Sequence, residues 1–378
     1  MNSYDFEFQI KTKIKFGRNK IRELNSILYS LGAKRVMIIA DRGVIEAGLI
    51  DKIDAVLKKS KLEYFIFDQV KPDPTLAIVN AGIKYVLENN IDSLLAVGGG
   101  SPIDTAKAVR AAFSNKKLAE NLTVDKLPLI TVPTTSGSGS EVTKAIVITD
   151  QNTKRKFAAA DESLAPDLAI VDPTMTVTLP PNLTAIGGMD ALSHCIESYL
   201  SHEAVLPFEM IATKGIEMVK NYLRPAVGNG SNMTAREGMA LASLFGGISL
   251  SNCGLGLVHA IAHPLGGKFN IPHGMANAII LPHVMKFNII ANPKKFCQIA
   301  LIFGVNIDNL TQMEAAQKAV IEVSNLKRDI GLTQSLRDFG VDGFEKIAEL
   351  ALEEKLMLKT NPRPVEKNDI IKILKEAY

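Results

Sequence analysis

At 378 residues the chain is long enough for two domains, each with a core of its own. Its 43 basic and 40 acidic side chains leave a net charge of +3, and like charges cluster no further than pairs such as Lys58-Lys59, which excludes a nucleic-acid stripe. No apolar run approaches the roughly 18–20 residues of a membrane helix. The first residues carry Asp5 and Glu7 and no signal-peptide core. Cys195, Cys253 and Cys297 are odd in number and far apart, which argues against a disulfide framework. The expectation is a cytoplasmic enzyme with no nucleic-acid or membrane partner.

Near the start of the chain, Phe6, Phe8, Ile10, Thr12, Ile14 and Phe16 alternate with charged and amide residues, a period of two that predicts one half-buried strand. Gly17-Arg18 ends it, and Asn19 to Leu31 reads as an amphipathic helix. To about residue 180, short apolar runs alternate with helical stretches: Val36 to Ala40, Tyr64 to Phe67, Leu94 to Val97, Leu129 to Val132 and Leu168 to Val171. Continuous apolar strands separated by helices predict a parallel sheet covered on both faces. Beyond Pro180-Pro181 strand-like runs largely vanish, and helical patterns begin at Met189, Pro207 and Ala235. The expected organisation is an α/β domain over residues 1–182 and an all-helical domain over residues 183–378.

Two turns invite a nucleotide. Leu94 to Val97 runs into Gly98-Gly99-Gly100-Ser101-Pro102 and then a helix, the geometry in which backbone amides and a helix dipole meet a pyrophosphate. The spacing is neither the G-x-G-x-x-G fingerprint nor a Walker motif, so a plain tight turn is the alternative. Leu129 to Val132 leads into Pro133-Thr134-Thr135-Ser136-Gly137-Ser138-Gly139-Ser140-Glu141, rich in small polar groups and glycine. Two such loops at one sheet edge suggest a ligand crevice; a solvated Ser/Gly loop is the plainer reading. Asp41 ends the Val36 to Ala40 run, where an acid can accept from the ribose hydroxyls of NAD or simply cap the adjoining segment. Lys156 and Asp104 are candidate partners for a phosphate and for nearby donors.

All six histidines lie between positions 194 and 283. Asp190 and His194 stand four apart in a helical pattern and share one face, as two ligands of one cation would. His259, His263 and His273 come next, among glycines and prolines. One carboxylate with imidazoles suits Fe(II), Zn(II), Mn(II) or Ni(II). Periodicity alone selects His259 and His263 as the second helical pair, and leaves five candidates for the site. His202 and His283 read as ordinary hydrogen-bonded core residues.

These pieces resemble the iron-containing (group III) alcohol dehydrogenases. The matching segments are Gly98-Gly-Gly-Ser-Pro-Ile-Asp104, Pro133 through Glu141, Gly188-Met-Asp-Ala-Leu-Ser-His-Cys-Ile-Glu197, and Gly254 through His283. The resemblance implies a dehydroquinate synthase-like architecture, with the active site in a cleft between the two domains. It puts the metal, Fe(II) or Zn(II) or another divalent ion, on Asp190, His194, His259 and His273. His263 moves beside the substrate as the group that carries the proton to solvent. It implies NAD contacts at Asp41, Gly99, Gly100, Ser101, Thr134, Thr135, Ser138, Thr143, Lys156 and Leu179, with Asp73 where asparagine often meets the adenosine ribose. Gly187 and Cys195 stand where the family usually has threonine and alanine. The N-terminal strand commonly pairs across a homodimer.

The implied reaction moves a hydride between NAD and a small primary alcohol or diol, such as propane-1,2-diol and lactaldehyde. Glycerol and butanol dehydrogenase-type members of the superfamily are rivals. From another class, a hydrolase using metal-bound hydroxide would leave both nucleotide turns without a purpose.

Overall fold

The computed structural model describes residues 5–115, 127–150 and 155–378. The chain divides into two compact units. One holds residues 9–135 and 139–179; the other holds residues 136–138 and 180–378 together with residues 5–8.

The first unit contains strands β1 (Lys13–Phe16), β2 (Arg35–Asp41), β3 (Glu63–Val70), β4 (Ser93–Gly98), β5 (Leu129–Pro133), β6 (Ala145–Asp150), β7 (Arg155–Ala160) and β8 (Leu168–Val171). Its helices are α1 (Leu24–Ser30), α2 (Arg42–Glu46), α3 (Leu49–Leu57), α4 (Leu76–Glu88) and α5 (Gly100–Asn115). Six strands form one sheet in the order β1-β8-β5-β4-β2-β3, every pair parallel. Neighbouring side chains of β4 go to opposite faces. Leu95 and Val97 join Ile38, Ile130 and Ile170 against Leu24, Leu28 and Ile53 of α1 and α3. Leu94 and Ala96 join Met37, Ile39 and Leu129 against Val79, Ile83, Val109 and Phe113 of α4 and α5. Two apolar faces explain why these strands read as unbroken apolar runs, each buried Leu, Ile or Val contributing about 1.5–3 kcal/mol.

The chain steps from β2 outward to β3, then returns to β4 on the other side of β2 and continues to β5 and β8. The reversal leaves a crevice at the carboxyl ends of β2 and β4, where a doubly wound sheet binds its ligand.

One expectation needs correction. The alternating N-terminal segment is a strand only over β1, because β8 supplies backbone partners to Lys13–Phe16 and no further back. Upstream, Phe6, Phe8 and Ile10 remain exposed. Also, β6 and β7 form an antiparallel hairpin apart from the main sheet. Its second strand ends in Ala158-Ala159-Ala160, residues that favour helix, and tertiary pairing overrides that preference.

The second unit is helical: α6 (Pro181–Leu200), α7 (Leu206–Gly228), α8 (Met233–Cys253), α9 (Leu257–Phe269), α10 (His273–Asn288), α11 (Pro293–Ile302), α12 (Gln312–Asp329), α13 (Phe344–Glu353), α14 (Lys355–Thr360) and α15 (Lys367–Glu376). From Thr184 on, α6 is buried over almost its whole length. Small residues let its neighbours close in. A Cβ at Gly188 would strike Leu223 of α7, and one at Gly215 of α7 would strike the Cys195 sulfur. A cysteine therefore fits where alanine was expected. The stretch His273–Ala291 is long and apolar enough to cross a membrane, yet 72% of it is buried inside the protein, as a core helix would be.

Candidate metal centre and nucleotide loops

The helical unit gathers four side chains. Asp190 and His194 project from one face of α6, His259 comes from α9, and His273 opens α10. One donor atom from each lies within 4.8 Å of the others. From Asp190 Oδ1, the Nε2 atoms stand at 3.6 Å for His194, 3.9 Å for His259 and 3.6 Å for His273. Asp190, His194 and His259 are buried, whereas the His273 side chain is 33% exposed, so the cluster opens on that side.

What each ring does with its other nitrogen decides what faces inward. His194 Nδ1 lies 3.2 Å from the carbonyl of Gly137, so Nδ1 carries the hydrogen and Nε2 presents a lone pair. His259 Nδ1 pairs with Glu197 Oε2, with the same result. Glu197 is held in turn by the amide of Val258, donating to Oε1 at 2.7 Å. Burial drives the His259 imidazole down to about 3 and lowers that of His194, so both stay neutral. Asp190 Oδ1 and the Nε2 atoms of His194 and His259 thus converge as acceptors beside His273 Nε2, an arrangement that favours a cation among them. One carboxylate and three imidazoles fit a divalent ion such as Fe(II) or Zn(II).

His263 comes one turn after His259 on α9 but lies outside this set. Its Nδ1 sits 3.1 Å from Glu354 Oε1, and its ring lies 5.8 Å from that of His273. The helical pair suggested by spacing is thereby split: Glu197 aims one ring at the cluster and Glu354 holds the other beside it. His283 stands elsewhere, 3.9 Å from Glu376. Sequence reading missed the parts of Glu197, Asn277 and Glu354. For Glu197 a signal existed, since positions 190, 194 and 197 fall on one helical face.

In the α/β unit the loops after β4 and β5 stand side by side. A Cβ on Gly99 would lie 3.1 Å from Thr135 Oγ1, and the amide of Thr134 donates to the carbonyl of Gly98 at 3.0 Å. Gly98 has φ +153°, and a side chain there would collide with Pro102. Gly100 and Ser101 begin α5 and offer its N-terminal amides. Asp41 ends β2 at the reversal point and caps α2, its Oδ1 accepting from the amide of Val44 at 3.0 Å. Asp73 is exposed with φ 55°, in the turn before α4. Leu179 is half-buried at the end of this unit. Lys156 lies on β7, with its side chain outside the described residues.

Two of the expected cofactor residues also make bonds within this unit. Asp104 Oδ2 accepts from the amide of Val147 at 2.9 Å and Oδ1 from Ser140. The Lys107 ammonium donates to Ser140 Oγ at 3.0 Å and Thr143 Oγ1 at 2.9 Å. The Asp104 carboxylate holds the second loop and β6 to α5. Thr143 shares that buried post. In the other unit, a Cβ on Gly137 would stand 2.9 Å from Gly187 Cα. Ser138 is the next residue, and its backbone takes its place from that packing.

A doubly wound nucleotide sheet together with a helical, imidazole-rich cation site defines a class of metal-dependent dehydrogenase. Residues 11–173 match the family described as iron-containing alcohol dehydrogenase, and residues 184–378 match its C-terminal part. The chain belongs to that family. It is 38% identical to 1,3-propanediol dehydrogenase of Klebsiella pneumoniae over 99% of both chains. It is 36% identical to lactaldehyde reductase of Escherichia coli K12, over 96% of this chain and 97% of that one. The crystal structure of a 1,3-propanediol oxidoreductase superposes with a TM-score of 0.94 at 38% identity, covering 99% of this chain and 100% of that one.

Proposed function

We propose that the protein is a metal-dependent, NAD-linked alcohol dehydrogenase and aldehyde reductase acting on small primary alcohols and diols. The carrying observation is the buried convergence of Asp190, His194, His259 and His273, their donor atoms within 4.8 Å of one another. These four would hold a divalent ion, iron by family, and that ion would supply Lewis acidity at the substrate oxygen.

The chain's own residues do the rest. Asp190 neutralises part of the cation's charge and the imidazoles keep it in a site poor in water. Glu354 occupies His263 Nδ1, so Nε2 is the atom that takes the hydroxyl proton and returns it. NAD is held by Gly99, Gly100 and Ser101 after β4, by Thr134, Thr135 and Ser138 after β5, by Asp41 and Asp73 at the ribose end, and by Lys156 and Leu179. Thr143 and Asp104 support that loop from behind. The hydride passes between the carbinol carbon and the nicotinamide. The substrate is a short chain bearing a terminal hydroxyl, the class to which propane-1,2-diol and propane-1,3-diol belong.

The protein acts as a cytoplasmic homodimer joined through the N-terminal segment, in keeping with three free thiols and with exposed Phe6, Phe8 and Ile10. The test is NADH formation from propane-1,2-diol, propane-1,3-diol, butan-1-ol and glycerol, with protein loaded anaerobically with Fe(II) or with Zn(II). Turnover that a chelator abolishes and Fe(II) restores is expected. Silence toward every alcohol and aldehyde in metal-replete protein would overturn the reading.

A further inference from the structure

Asn277, on α10 one turn after His273, is fully buried, and its amide nitrogen stands against the ligand cluster. Nδ2 donates to Asp190 Oδ1 at 2.7 Å and lies 3.1 Å from His259 Nε2 and 3.2 Å from His273 Nε2. It thus caps the triangle formed by those three donor atoms. At the other end of the same amide, Oδ1 is buried with no hydrogen-bond partner among the described residues.

That asymmetry separates Asn277 from an ordinary core amide. Asn288 and Asn361, in the same unit, satisfy each other reciprocally, with Nδ2 to Oδ1 at 2.9 Å in one direction and 3.1 Å in the other. A buried amide placed for packing alone would be expected to pair both ends in this way. Asn277 leaves its oxygen unpaired while its nitrogen meets three acceptors. Its position is therefore set by the cluster.

We propose that Asn277 is a positioning residue of the metal centre. Its N–H holds the Asp190 carboxylate with Oδ1 turned to the imidazoles, and its amide closes one face of the ligand triangle to water. The side of the cluster left open is the one where His273 is exposed. Asn277 serves as an outer partner and not as a fifth ligand, because a nitrogen bearing two hydrogens offers no lone pair to a cation. This rests on the metal reading proposed above.

The test uses the full-length protein with Co(II) in place of the native ion, comparing native chain, N277A and the isosteric N277D. Affinity is read by chelator competition and coordination by the visible d–d spectrum, both without substrate. In N277A, affinity should fall about 10–100-fold and the spectrum shift as water gains the uncovered face. In N277D a second carboxylate faces Asp190, so the metal-free protein should melt lower and recover more on adding Co(II) than the native chain does. Should N277A fail to fold, N277D still decides between the outcomes. Native-like affinity, spectrum and metal-induced recovery in the folded variants would overturn the proposal. Failure of the native chain itself to bind Co(II) would instead overturn the metal reading.

Discussion

Gly274 makes room for the histidine before it to reach the Asp190 cluster. A Cβ there would lie 2.6 Å from the carbonyl of Ile186 and 3.2 Å from Asp190 Cβ, so α10 can bring His273 beside α6 only without that carbon. Gly274→Ala should push the two helices apart, destabilise the protein by about 1–3 kcal/mol and lower its metal content. An unchanged melt with full metal would show that the contact relaxes freely. The two histidines of α9 should separate cleanly. On the proposed assignment His259→Ala removes a ligand and leaves Glu197 buried without its imidazole, so metal should be lost in elemental analysis. His263→Ala should keep its metal and lose turnover by about 10²–10⁴-fold; full turnover would remove His263 from proton transfer. The thiols make a third contrast. Burial pushes Cys195 to about 12 and Cys253 to about 11, so neither forms thiolate at neutral pH. Iodoacetamide at about pH 8 should label Cys297 alone in the folded protein; modification of Cys195 before unfolding would contradict the packing.

At the scale of elements, the edge strand β1 is tied to the next turn by one carboxylate. Glu23 accepts from Lys15 on β1 and from Lys20 at 2.7 Å, and the two ammonium groups hold it down at about 2. A depressed carboxyl contributes stability above its ordinary value of 4.5, and that contribution fades as the pH falls through about 2. Glu23→Gln should therefore melt lower than the native chain near neutrality, with the difference shrinking in salt and vanishing in strong acid. A pH-independent difference would mean the pair is not what holds β1. The strands themselves were legible because β2, β4 and β5 are buried on both faces, and only continuous apolar residues satisfy two cores at once. The β6–β7 hairpin was not. Its pairing is decided by a backbone partner across the turn, and alanine-rich β7 carries no alternating pattern to announce it.

For the whole molecule, the exposed apolar residues before β1 matter most. On the proposed dimer, replacing Phe6 and Ile10 by serine should shift sedimentation to the monomer, and an unchanged sedimentation coefficient would count against this interface. Phe8 is the poorer probe, since its ring stacks on Phe208 at 5.0 Å. The division of the chain shows how far local patterns reach. The helical unit runs from Pro180 and also takes in residues 5–8 and residues 136–138 from the middle of the α/β segment. No local signal reports this, because Gly137 is placed by its close approach to Gly187 and by His194.

Sequence by itself determined the alternation of buried strands and helices, the two glycine-rich turns and the pool of acid and imidazole groups. Those depend on periodicity and residue chemistry, which are local. Spacing left five candidates and the family resemblance named four; the tertiary structure shows how those four converge. His259 and His263 share a helix and a spacing, but Glu197 and Glu354, distant in sequence, engage their Nδ1 atoms and send the rings to different places. The inward turn of Asp104 and the capping amide of Asn277 were decided in the same way. Each is a hydrogen bond between elements, and its partner exists only once the helices have packed.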